Sequence, residues 1–506
     1  MPEKKGSNMR KLHFGTTAAV SALALTASLT MAGAAFGQAS GVSDPGPRAG
    51  TPALLPLKGL NAFNVGDLTT AEQAALAANP GLFSISSTGP GEIEMFNAGA
   101  NFFTETVSVV PAGVPGHIND APPGDVSGGG LGPSFNANSC LVCHASPIEG
   151  GASGTVNPQV KLATLDGAHN TVPPFISTNG PIREARLISA NTNNGVLSGD
   201  VFGLFVIAGR SDAPGCTATQ TNWPQQVAAN NVIFRIPINT FGDGLVEMTS
   251  DEAFETDSAA VASSASTNGI TTGSFNHNGN TGTIAHFGWK AQNVSLLLFA
   301  GEAYNVEQGV TNDLFPNERH FEQANCLFNP LPEDSENLLT TTPTTPSGFA
   351  FADLASDITQ FAFFMRLSAV PAPAAQTAAT SQGESEFISV GCSDCHIVSH
   401  VTASSIYTSQ SNVTYFPFSD FALHDMGTGL EDQVSQGQAN GLQFRSAPLW
   451  GVGQRTFFLH DGRTNNLVTA IEDHKSSGSE ANTVINNFNK LSATNQQDIV
   501  AFLRSL

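Results

Sequence analysis

Cys140-Leu-Val-Cys143-His144 and Cys392-Ser-Asp-Cys395-His396 write one pattern, C-x-x-C-H, twice in the same chain. No other feature constrains the fold so strongly, because this is the attachment motif for c-type haem. Its two thiols add to the two vinyl groups of the porphyrin, and one turn of chain sets them at the separation this needs. The adjacent histidine then lies under the iron and offers an imidazole nitrogen as proximal ligand. Cys140, Cys143 and His144 are thus one expected haem site, and Cys392, Cys395 and His396 a second. Zinc sites also pair C-x-x-C motifs, but in a zinc ribbon the pairs stand about 15–20 residues apart. Here the two motifs are far apart and each carries its own histidine, which disfavours both zinc and a thioredoxin-like dithiol.

The first residues give the address. Lys4, Lys5, Arg10 and Lys11 precede an uncharged stretch from Phe14 to Met31, and Ala35-Phe36-Gly37-Gln38-Ala39 follows with small residues. Basic, then apolar, then small is the order of a secretory signal. Residues 1–39 are therefore expected to be cleaved and the remainder exported to the periplasm. The apolar run is short and diluted against the roughly 20 residues a membrane span needs, and no later stretch is expected to cross a bilayer. In an oxidising compartment the two remaining cysteines, Cys216 and Cys326, are expected to form a disulfide. Forty-two acids against 20 bases give a net charge of −22, which does not suit the phosphate backbone of nucleic acid. It suits solubility, or encounter with a basic partner such as a small cytochrome.

The chain carries 50 Gly and 29 Pro, which predict long irregular loops around modest helices. Residues 40–340 read as an N-terminal haem domain with loop-rich insertions, among them a Ser-, Thr- and Asn-rich surface excursion at 249–283. Short β-type runs interrupt it at 201–207 and 232–236. Residues 341–350 read as a linker, and 351–506 as a C-terminal haem domain that carries electrons. A helix is expected over 352–367, with Leu354, Ile358, Phe361 and Met365 on one face. Two more are expected over 466–474 and 494–505, the last with Thr494 and Gln497 spaced as a capping box. The expected class is mainly α: two cytochrome c-like haem domains with long irregular loops and a few short strands.

Several further segments carry a resemblance. Gly130-Leu-Gly-Pro-Ser-Phe-Asn136, Phe287-Gly-Trp-Lys-Ala291, Glu307-Gln-Gly-Val-Thr311 and Leu423-His-Asp-Met-Gly427 come first. Pro448-Leu-Trp-Gly451, Phe458-Leu-His-Asp-Gly-Arg463 and Ala470-Ile-Glu-Asp-His474 complete the series. In this order, interleaved with two haem motifs, the chain from about Gly128 onward resembles the bacterial dihaem oxidoreductases. These are relatives of dihaem cytochrome c peroxidase and of the methylamine-utilisation dihaem enzyme.

The resemblance implies roles. The second ligand of the C-terminal haem, Met or Tyr in the relatives, falls at His474 when counted from His460. Independently, Leu467, Ala470, Ile471 and His474 share one helical stripe. Bis-His ligation by His396 and His474 would lower the potential relative to a His/Met pair. The rival ligands are His424 and Met426, which the relatives place near this haem without bonding it, and His460, which is expected to be a hydrogen-bonding structural residue. For the N-terminal haem, Glu307 matches the acid that moves a proton between peroxide oxygens, and Glu247 is a second candidate acid. Trp289 matches the tryptophan between the two haems. Arg455 stands where the relatives supply a calcium-binding Thr, which puts bound calcium in doubt. No distal ligand of the first haem is evident, although His117, His169 and His286 are available.

The function so implied is a periplasmic, peroxidase-like dihaem c-type oxidoreductase. A small cytochrome or cupredoxin would donate electrons, and hydrogen peroxide or another small oxidant would accept them. The alternatives are high-valent-iron oxidation of a protein or organic substrate, dioxygen chemistry like that of the dihaem rubber oxygenases, and a non-enzymatic dihaem electron carrier.

Overall fold

A computed structural model describes residues 41–50, 52–57, 92–110, 127–189, 199–270, 273–319, 324–329, 331–335 and 355–506. The expected signal, the expected linker and His117 lie outside the described residues. Among the described residues the helices considered below are α1 (Glu92–Thr104), α2 (Asp251–Thr267), α3 (Leu296–Glu307), α4 (Asp357–Leu367), α5 (Ala378–Ser389), α6 (Leu467–Glu472), α7 (Asn482–Phe488) and α8 (Ala493–Ser505). Polar side chains open several of them by accepting otherwise unpaired backbone N–H groups. Ser250 caps α2, Ser295 caps α3, Thr377 forms a capping box with Thr380 at α5, and Asn466 caps α6. The molecule is mainly helical.

Three local expectations change. The polar stretch at 249–283 was expected to be a loop, but it contains α2. Alanines recur through this helix, Ser250 caps it, and Phe254 anchors it in the core, so good helix formers outweigh the serines. The helix expected from residue 352 begins at Asp357, and residues 352–354 lie outside the described chain. Helix α8 is capped by Ser492, whose hydroxyl accepts the Asn495 N–H, rather than by Thr494. Gln497 reaches instead to the backbone of Ser43.

The helices pair closely. Helices α1 and α4 lie along each other, and α3 packs on α4. Gly99 permits the first approach, since a Cβ there would sit 2.4 Å from the Gln360 carbonyl oxygen. Helices α5 and α8 form an equivalent pair, permitted by Gly383, where a Cβ would lie 1.9 Å from the Asp498 carbonyl oxygen. Helix α4, which follows the expected linker in sequence, thus packs among elements that precede it. Cys216 and Cys326 form a disulfide, with Cα atoms 4.6 Å apart.

An antiparallel sheet joins β1 (Glu184–Leu187), β2 (Val201–Phe202) and β3 (Val232–Arg235) in the order β2-β1-β3, with Glu184 opposite Arg235. A second antiparallel pair joins β4 (Leu423–Asp425) to β5 (Gln443–Arg445), with His424 opposite Phe444. One large apolar cluster holds Phe103, Phe135, Phe205, Phe361 and Phe364, and a second holds Phe387, Phe418, Phe458, Phe488 and Phe502. Each buried aromatic stabilises the fold by about 1.5–3 kcal/mol relative to exposure. Between them sits a small group of Ile236, Ile238 and Trp289. No described helix is long and apolar enough to cross a membrane.

Candidate functional site

Cys140 to Cys143 form one helical turn, capped by Ser139, and His144 follows directly. The His144 Nδ1 lies 2.8 Å from the Gly151 carbonyl oxygen. A carbonyl only accepts, so the proton belongs on Nδ1 and the lone pair on Nε2. Burial lowers the pKa of this imidazole and keeps it neutral. Burial also pushes the Cys140 thiol up to about 12 and raises Cys143. These sulfurs are therefore held as thiols, the form that adds to a vinyl group. Both cysteines and His144 line a cavity of about 160 Å³.

Across that cavity stands a charged wall. Side chains alternate along a strand, so Glu184 and Arg186 share the face of β1 whose neighbours, Ala185 and Leu187, go into the core. Arg235, opposite Glu184, joins them, and all three line the cavity together with Glu307. Arg186 Nε donates to Glu184 at 2.8 Å. Glu307 ends α3, where its backbone oxygen accepts the N–H groups of Asn136 and Ala137. Gly132 N–H meanwhile reaches the Gln308 carbonyl, so the segment Gly130–Asn136 is strapped to the end of the helix. Asn136 Nδ2 donates to Glu307 Oε2 at 2.8 Å.

The Glu184 and Glu307 carboxyls are hydrogen-bonded to each other. Burial and the adjacent Glu184 charge push Glu307 up to about 8. Burial opposes ionisation of Glu184 too, but Arg186 and Arg235 overcome it and hold its pKa below the usual value. One carboxyl is therefore protonated and its neighbour ionised at neutral pH.

Glu247 does not join this wall. Its carboxylate makes a two-point ion pair with Arg366, at 2.6 and 3.1 Å, and accepts the Leu296 N–H at the start of α3. Its sequence neighbourhood suggested an acid, but a neighbouring cation and a helix end claim both oxygens. His169 and His286 also stand away from the cavity, whereas Met365 of α4 lines it.

The second motif lines a cavity of about 210 Å³ with a mostly apolar wall. The His396 Nδ1 lies 2.8 Å from the Phe418 carbonyl oxygen and the His474 Nδ1 2.7 Å from that of Ala470. Both imidazoles are thus presented with a free Nε2, as at His144, and burial lowers both pKa values, His396 to about 4. They lie close enough for charge on His474 to depress His396 further. His424 also borders this cavity but has no lone pair to offer, because Asp420 and Glu480 engage its two nitrogens at 2.9 and 3.0 Å. Burial would lower its pKa; Cys395 and Asp420 outweigh that and raise it well above the ordinary value. Met426 borders the cavity as well. His460 was expected to hydrogen-bond; its ring instead stacks on Phe444 at 4.4 Å and meets Trp289 edge-on at 6.4 Å.

Trp289 lines both cavities. Its indole N–H donates to the Ile236 carbonyl at 2.9 Å, which fixes the ring in the shared wall. The next residue, Lys290, is fully buried and bonds Asp432 at 2.9 Å and the carbonyls of Asn440 and Gln443. Asp432 also binds Arg235 at 2.7 Å. The same cluster thus touches the charged wall of the first cavity and, with Lys290 Nζ 4.0 Å over Phe444, the edge of the second.

Each cavity offers two neutral thiols and at least one imidazole with a free Nε2, the donor set that haem c requires. Among the described residues no group of three or more His, Cys, Asp or Glu side chains is placed to hold a metal ion. Residues 203–506 match the family described as "Di-haem oxidoreductase, putative peroxidase". The chain belongs to that family. The matched span of this di-haem oxidoreductase includes the second C-x-x-C-H motif, Trp289, Glu307 and His474, and the first motif precedes it. No curated protein matches the chain.

Two solved structures resemble parts of it. One is hydrazine synthase of Kuenenia stuttgartiensis, with 16% identity over 31% of this chain and 56% of that one and a TM-score of 0.20. The other is a MauG-like protein associated with microbial copper homeostasis, with 18% identity over 32% and 55% and a TM-score of 0.21. The chain therefore spans little more than half of either structure, and likeness at that level does not establish a common fold. The family matched is described as one of di-haem oxidoreductases.

Sequence reasoning missed Glu184, Arg186 and Arg235. Their signal was present in Glu184-Ala-Arg-Leu187, where charged and apolar residues alternate at the period of a half-buried strand. Nothing local links that strand to Glu307, which lies more than a hundred residues further along the chain.

Proposed function

We propose that the chain is an exported enzyme that reduces hydrogen peroxide with two electrons and two protons to two molecules of water. It would carry one covalent haem c in each cavity, the first held by Cys140, Cys143 and His144 and the second by Cys392, Cys395, His396 and His474. The contrast between the cavities carries this reading: one histidine facing a proton-sharing carboxyl pair in the first, two facing histidines in an apolar wall in the second. When bound, the groups supply the redox chemistry, by electron uptake in the second cavity and peroxide binding and reduction in the first.

The chain's own residues do the rest. His396 and His474 would both hold the group in the second cavity through their Nε2 atoms, which would suit that site to electron exchange rather than substrate binding. Trp289 packs between the sites and shortens the path for the electrons. Ionised Glu184 takes a proton from one peroxide oxygen and protonated Glu307 delivers one to the other, which is general acid–base work. Arg186 and Arg235 hold the negative charge on Glu184 and so keep the pair half-protonated. The acidic chain favours a basic donor such as a small cytochrome or cupredoxin.

A low-temperature electron paramagnetic resonance spectrum of the exported holoprotein, recorded before and after peroxide, tests this. One high-spin and one low-spin ferric signal are expected, with the high-spin signal lost on addition. A second reading rests on Met365, which borders the first cavity and would complete a six-coordinate electron carrier. Two low-spin signals indifferent to peroxide, in both the oxidised and the half-reduced protein, would select the carrier.

A further inference from the structure

Among the described residues Arg455 is a buried cation with no anion paired to it. Only 7% of the residue is exposed, and it borders the second cavity. Its Nε donates to the Phe457 carbonyl at 2.8 Å, its guanidinium lies 5.7 Å from the centre of the Trp289 ring, and its Nη2 has no hydrogen-bond partner. Burial alone lowers its pKa, to about 10, with no carboxylate acting on it. The other arginines near the two cavities differ. Asp243 acts on Arg445, Asp432 binds Arg235, and Glu184 binds Arg186. A guanidinium out of water with an idle N–H is costly unless an anion meets it, and a forked donor of this kind matches a carboxylate.

We propose that Arg455 anchors a carboxylate of the group held in the second cavity, namely a propionate of the porphyrin. The inference rests on the reading that this cavity holds haem c. It assigns to Arg455 a use that the doubtful calcium site did not: the guanidinium is the cation, and the cofactor brings its counter-ion. Arg455 is a positioning residue, because it acts on the carboxylate edge and not on the iron. Its positive charge also favours the more negative, reduced state of the haem.

The test compares wild type with Arg455→Met and Arg455→Gln, with exposed Lys490→Met as a control. Haem per chain is counted from the alkaline pyridine spectrum, and the two midpoint potentials are read by spectroelectrochemical titration at one pH. Either Arg455 variant should lower the midpoint of the second haem and leave that of the first unchanged, while Lys490→Met moves neither. Selective loss of the second haem, with the first retained, is the other result expected of a missing anchor. An unchanged second midpoint with both haems loaded would overturn the proposal, and so would equal loss of both haems, which marks a general structural role. Fewer than two haems in the wild type would instead defeat the underlying reading.

Discussion

The two cavities grow from the same five-residue motif and share Trp289, yet they differ in what faces the histidine. The cavity lined by His144 is also lined by a strand face of alternating charge, with Glu184 beside Glu307. The cavity lined by His396 is also lined by His474, just past the end of a helix whose inward residues include Leu467, Ala470 and Ile471. Both motif histidines are keyed by a backbone carbonyl on Nδ1, at 2.8 Å in each case, so the difference does not lie in the motif. A sheet can place charges of both signs side by side and stabilise them mutually. A short amphipathic helix offers one apolar stripe, into which a single imidazole fits. The lesson is that the supporting element, not the C-x-x-C-H motif, separates the two sites, which under the proposed function would serve proton transfer and electron transfer.

The largest test of that contrast is Glu307→Gln. Peroxide reduction should slow by about 10²–10⁴-fold, the usual worth of a general acid or base, while both haem spectra stay intact. An unchanged rate in stopped-flow assays would remove the carboxyl pair from the mechanism. His474→Gly attacks the other side of the comparison. It should convert the second haem wholly from low-spin to high-spin or weakly ligated and raise its potential; a persistent low-spin signal would refute that ligand.

Removing the disulfide separates the regions by stability. Cys216 and Cys326 lie 110 residues apart in the chain, and replacing both by Ser should cost about 2–5 kcal/mol. Urea unfolding should show the loss, with the second haem spectrum disturbed least.

A smaller effect depends on pH. Glu307 is raised from an ordinary carboxyl value to about 8, so the native chain holds a proton that the unfolded chain releases. Its contribution to stability therefore worsens as pH rises from the unfolded value near 4.5 towards 8. Glu307→Gln should be more stable than wild type at pH 7 by about 1–3 kcal/mol, with no gain at pH 4. Ser492→Ala should cost about 1 kcal/mol through loss of the α8 cap, whereas Thr494→Ala should cost less.

Much of this was legible in the residues alone. The haem motifs, the helical stripe ending at His474 and the disulfide partners are local patterns or simple counts, and the family segments stand in recognisable order. The helices at 251–267 and 357–367 show the limit. Whether a polar stretch becomes a helix depends on one buried anchor such as Phe254, and α4 takes its place only by lying against Gly99 of α1. The cap at Ser492 rather than Thr494 shows the same limit at the scale of a single turn.

The chemistry of a short motif depends on bonds within a few residues, so the order of the chain suffices to raise the expectation of two covalent cofactors. The charge state of Glu307 depends on burial and on Glu184 and Arg186, while Arg186 and Arg235 set that of Glu184, all brought together from distant segments. Electrostatic energies scale with separation and local dielectric, quantities that exist only once the chain is packed. For the same reason sequence pointed to Arg455 only as a displaced calcium ligand, while folding made it a buried cation in need of a partner.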